Sequence, residues 1–171
     1  MFLRYLSAAL VGCALLAAPV ASQTAPRGPS TPEERKQALE YIHHFEADPL
    51  NPALKPEIQW VIKWTTQIPD VRVSLCPILD KLPKGNKKAG QTLFTAMVFA
   101  QTAFVLKNLD KQNDDLAQFQ AGVEGVLRIY ELLLRNNPKD QQPYLDDLIQ
   151  RREAGMLAQW VKERADASCH N

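Results

Sequence analysis

No phosphate-cradling Walker loop, no Gly-x-Gly-x-x-Gly turn and no Gly-x-Ser-x-Gly elbow occurs in this chain. Nucleotide handling on those scaffolds and serine hydrolysis of the elbow kind therefore have no signal. Serine is sparse past residue 22, at Ser30, Ser74 and Ser168. Histidine is scarcer in useful places: His43 and His44 adjoin, and His170 lies in the tail. Net charge is also missing. Lys and Arg number 20 against 19 Asp and Glu, and Arg4 is the only charge ahead of Arg27, so residues 23–171 balance. A neutral domain without a basic block argues against nucleic acid as its partner. Strand signals are nearly absent as well. Residues 71–75 alternate apolar and polar, but nothing else in the chain could pair with them, so they read as an extended connector.

What is present begins with an export signal. Arg4 precedes an almost wholly apolar run over residues 5–18, and small residues follow at Val20, Ala21 and Ser22. A basic start, a short apolar run and a small-residue exit are the parts of a secretory signal peptide. The run falls short of the ~20 apolar residues a membrane span needs, and Pro19 interrupts it. Cleavage is expected after Ser22, giving a periplasmic or extracellular protein with no membrane span left. The alternative is a lipoprotein anchored at Cys13, because Leu10-Val11-Gly12-Cys13 resembles the bacterial lipoprotein processing motif. Against it, the apolar run continues past Cys13 to Ala18. Residues 23–30, rich in Pro, Gly and small side chains, read as a disordered leader. Residues 31–171 are the size of one domain.

The pattern of that domain is helical. Thr31, Pro32 and Glu34 spell a capping box that opens a helix ending near Asp48, before Pro49 and Pro52. A second helix is expected over 56–67, with Ile58, Val61, Ile62 and Thr65 facing inward and Trp60 and Trp64 on a neighbouring stripe. Residues 77–82 suggest a helical turn or two. Residues 87–108 form a long helix, apolar around most of its circumference and so central, with Phe94, Met97, Val98 and Phe104 toward the core. Gln101 in that helix would need a hydrogen-bond partner if buried. Over 114–136, Leu116, Phe119, Val123, Val126, Tyr130 and Leu133 keep a heptad seam. Gly122 and Gly125 beside it permit close backbone approach. The last helical stretch runs from about 140 to 164 and should break at Gly155. The expectation is an all-α bundle or short array of five to six helices. The stretch 130–138, ending in Asn-Asn-Pro, resembles the close of a tetratricopeptide-repeat helix. No second copy follows at a 34-residue period, so the resemblance implies at most a repeat-like helical pair.

After removal of Cys13, two cysteines remain in an oxidising compartment, and Cys76 with Cys169 is the expected disulfide. It would tie down the C-terminal tail. Among other candidates, Glu40 and His44 share a helix face and make a weak metal or hydrolase site, although adjacent histidines diverge by about 100° on a helix and zinc sites usually show tighter ligand spacing. Asp114-Asp115 and Asp146-Asp147 sit at helix starts, where they complement the dipole. Trp60 and Trp64, four apart, are the candidate partner-binding stripe, since aromatic residues anchor interfaces. The reading that results is an exported, non-enzymatic module for an unknown protein or peptide, with no cofactor and no assigned oligomeric state. The alternative is a small exported hydrolase or metal-binding protein around Glu40 and His44.

Overall fold

The computed structural model describes residues 27–82 and 87–169. The proposed signal peptide, Cys13 and His170 lie outside them. The described residues form six α-helices and no strand: α1 (Pro32–Ala47), α2 (Lys55–Gln67), α3 (Lys87–Lys107), α4 (Asp115–Asn136), α5 (Pro143–Glu153) and α6 (Leu157–Ser168). Short 3-10 turns at Pro52–Leu54, Leu109–Lys111 and Pro138–Asp140 join successive helices. The chain is an all-α bundle.

Local chemistry sets the helix ends. The Thr31 hydroxyl accepts from the Glu34 N–H, and the Glu34 carboxylate accepts from the Thr31 N–H, closing the capping box with Pro32 in the first turn. The Thr31 hydrogen bond holds the Glu34 carboxyl below its ordinary value. Asp114 caps α4 by accepting from the Ala117 N–H at 3.0 Å. Gly155 separates α5 from α6 at φ 72°, the left-handed region where a Cβ is costly. There the Gly155 N–H donates to Arg152 and the Met156 N–H to Arg151, the paired bonds of a Schellman stop.

Helices α3 and α4 form the centre. Phe119, Val123, Val126, Tyr130 and Leu133 of the heptad seam are buried, while Leu116 at its start is exposed. The two glycines let the helices touch. A Cβ on Gly125 would sit 2.3 Å from that of Ala100, and one on Gly122 would meet Met97 and Gln101 at about 3 Å. α1 adds Ala38, Ile42 and Phe45 to the core, with Phe45 packed edge-on against Phe99. Tyr130 staples α4 to the start of α5: its hydroxyl accepts from the Gln142 N–H and donates to Asp146. Burial, then the Asp146 charge, pushes the Tyr130 phenol up to about 12.

Residues 71–77 run as the extended connector expected from their alternation, and four anchors hold them. Asp70 accepts from the Ser30 N–H and hydroxyl, each at 2.7 Å. Arg72 pairs with Asp115 at 2.7 Å, and the Ser74 hydroxyl donates to the same carboxylate. The Ser74 N–H donates to Gln118. Finally, Cys76 and Cys169 form the disulfide, with Cα atoms 5.6 Å apart across 93 positions.

Four expectations need correction. Ser30, placed in a disordered leader, is buried through its bonds to Asp70. Residues 77–82 make a bend and a turn rather than a helix; Ile78 and Leu79 anchor this piece in the core. Ile62 and Phe94, assigned to the inside, are exposed. Gln101 is buried, yet its Oε1 has no hydrogen-bond partner among the described residues. Residues Lys88–Lys107 are long and apolar enough to cross a membrane, but most of that stretch is buried within the bundle, as a core helix would be.

Candidate functional site

Helix α2 turns Val61 and Trp64 inward. A step of 100° per residue then carries Ile58, Ile62 and Thr65 onto the adjoining stripe. Helix α3 does the same: Ala96, Met97 and Ala100 meet the glycines of α4, so Phe94 and Val98 fall on the side toward α2. Between the two stripes runs a groove. Its first part, about 410 Å³, is lined by Ile62, Thr65 and Thr66 of α2, Phe94, Thr95 and Val98 of α3, and Val73 and Leu75 of the connector. The second, about 890 Å³, shares Ile62, Phe94 and Thr95 and continues past Ile58 to Lys55, Lys88 and the turn at residues 49–52. Three large apolar side chains stand open along it: Ile62 at 44%, Phe94 at 49% and Leu75 at 65% exposure.

The tryptophans are placed differently from the recognition stripe expected of them. Trp64 is 2% exposed and belongs to the core with Ala38, Ile68, Val71 and Val105. Trp60 is half-buried, stacked on Trp64 with ring centroids 5.6 Å apart and met edge-on by Tyr41. The pair closes the α1–α2 contact, so Trp64 offers no ring to a partner.

Glu40 and His44 do not converge on a site. Glu40 is exposed and lines none of the hollows described, while His44 Nδ1 lies 2.9 Å from Glu57 Oε2 across the α1–α2 junction. Among the described residues, no three His, Cys, Asp or Glu side chains are grouped to hold a metal. His43 borders a shallow hollow in which Arg128 pairs with Glu46 at 3.1 Å and Glu131 with Arg152. A further hollow of about 390 Å³ lies over the disulfide, bordered by Asp115, Arg72 and Lys162. Its charges are paired: Arg72 with Asp115 and Lys162 with Asp166. Hydrogen bonding from Ser74, then the Arg72 charge, outweighs burial and keeps the Asp115 carboxyl low.

Leu75 and Gln118 are residues that the linear pattern did not single out, and Phe94 is one that it assigned to the core. Leu75 carried a signal, since it alternates with Arg72 and Ser74, which face α4. Phe94 carried none, because α3 is apolar on nearly every side. No family model matches this chain, and neither curated proteins nor solved structures offer a match.

Proposed function

We propose that this chain is an exported, non-enzymatic helical module that binds a protein or peptide segment in the groove between α2 and α3. Export rests on Arg4, the apolar run and the small-residue exit at Val20, Ala21 and Ser22. The observation that carries the binding reading is the row of Ile62, Phe94 and Leu75 along one continuous groove. Scattered exposed apolar residues are ordinary; a contiguous apolar channel marks a contact surface. This groove takes over the role first assigned to Trp60 and Trp64.

The test is co-purification from a periplasmic extract by the wild-type protein and by Phe94→Asp and Leu75→Asp, with Trp60→Ala as control. Both groove positions are exposed, so these variants should fold. A partner held by wild type and by Trp60→Ala but lost by both groove variants is the expected result. Equal recovery by all four would overturn it. So would a zinc-induced rise in Tm that Glu40→Gln and His44→Gln abolish, since that would restore the metal-site alternative.

A further inference from the structure

The groove has a polarity that narrows its occupant. Along α2, positions 55, 58, 62 and 65 line it; along α3, positions 88, 91, 94 and 98. Ten residues of helix rise ~15 Å, a length that an extended peptide covers in about five residues. Among the described residues, the ionisable side chains lining the groove are Lys55 and Lys88, both at the end farther from the connector. No carboxylate lines it, and neither lysine joins an ion pair among the described residues.

The other end is bounded by Val73 and Leu75 of the connector. The Ser74 N–H points at α4, where Gln118 receives it. In an extended chain the neighbouring residues turn their N–H and C=O groups to the opposite edge. Those of Val73 and Leu75 have no hydrogen-bond partner among the described residues. A peptide backbone can pair with such an edge; an acyl chain cannot.

We propose that the groove takes an extended peptide whose apolar side chains lie on Ile62, Phe94 and Leu75 and whose acidic flank meets Lys55 and Lys88. This rests on the groove being a binding site at all. The probes are three fluorescein-labelled eight-residue peptides. Each has the same Leu/Val core and ends in Asp-Asp, Gln-Gln or Lys-Lys. Fluorescence anisotropy with the purified protein reads their affinity, and sodium dodecanoate and anionic phospholipid vesicles are separate arms. Two exposed ion pairs should favour Asp-Asp over Gln-Gln by between about twofold and thirtyfold at low salt. The preference should shrink with added salt and vanish in the Lys55→Gln/Lys88→Gln variant. N-methylation of alternate peptide amides should weaken binding of all three. Equal affinity for the three peptides, lost in Phe94→Asp, would overturn the acidic-flank inference and leave the groove reading standing. Absence of peptide binding, with dodecanoate or vesicles bound instead, would overturn the peptide assignment outright.

Discussion

Two buried glutamines show how differently the same side chain can be used. Gln118 is fully buried; its Oε1 accepts from the Ser74 N–H at 2.9 Å and its Nε2 donates to the Gln112 carbonyl at 2.8 Å. Gln118→Met keeps the volume but strands both backbone groups, at a cost of ~1–3 kcal/mol. Thermal unfolding should show a clear drop in Tm, and an unchanged value would mean the connector is not held there. Gln101 Oε1 has no hydrogen-bond partner among the described residues, so Gln101→Met should leave Tm level or raise it. Asp70 and Asp115 are the titrating anchors. Burial works to raise Asp70, but the Ser30 bonds and the Arg35 charge prevail, and both carboxyls sit below the ordinary 3.8. A group held lower in the folded state stabilises above its unfolded value and loses that contribution as pH falls through the folded one. Stability should therefore decline as pH drops below about 4. Because both carboxylates are partly exposed, the effect is modest. A Tm–pH profile should lose part of its acid slope in Asp115→Asn, and an identical profile would discount this anchor.

Among the helices, α3 and α4 approach through their small residues. Gly125→Ala would force a Cβ to within 2.3 Å of Ala100. The helices must part, and overpacking of this kind costs ~1–3 kcal/mol or more. Ala100→Gly in the same chain should recover part of the loss, which a double-mutant cycle measures; no coupling would mean the contact is not made. The two faces of α3 should also respond oppositely. Leu93→Ala removes a buried side chain and should cost ~2–5 kcal/mol, whereas Phe94→Ser, on the groove, should change stability by within ~0.5 kcal/mol. Much of this was legible beforehand. The capping box at Thr31, the seam from Phe119 to Leu133 and the break at Gly155 each depend on residues near one another in sequence. The exposed side of α3 was not legible, because Phe94 has the same local pattern as its buried neighbours.

For the whole molecule, the disulfide closes a loop of 93 positions and fastens the end of α6 to the connector. Removing it with Cys76→Ser/Cys169→Ser should cost about 2–5 kcal/mol, a fall in Tm of roughly 5–20 °C. Groove binding should weaken along with stability, since Val73 and Leu75 belong to the segment that the disulfide holds. An unaltered Tm under reducing conditions would show that the other anchors suffice. Export is checked separately. Mass spectrometry of the natively produced protein should find an N-terminus near Gln23, and intact Met1 or lipidated Cys13 would refute a soluble exported form.

From the sequence alone came the helical class, the approximate helix boundaries and the pairing of Cys76 with Cys169. Periodicity, caps, proline breaks and an even number of cysteines are local or countable properties, and each corresponds to a dominant free-energy term. Tertiary structure decided which apolar residues were surplus to the core. Trp64 and Phe94 are equally apolar in the sequence. Packing of α1 over α2 buries the first, and the angle at which α3 sets itself against α4 leaves the second open. The orientation of one helix against another depends on steric fit between distant segments, such as Gly125 on Ala100, and no local pattern encodes that fit.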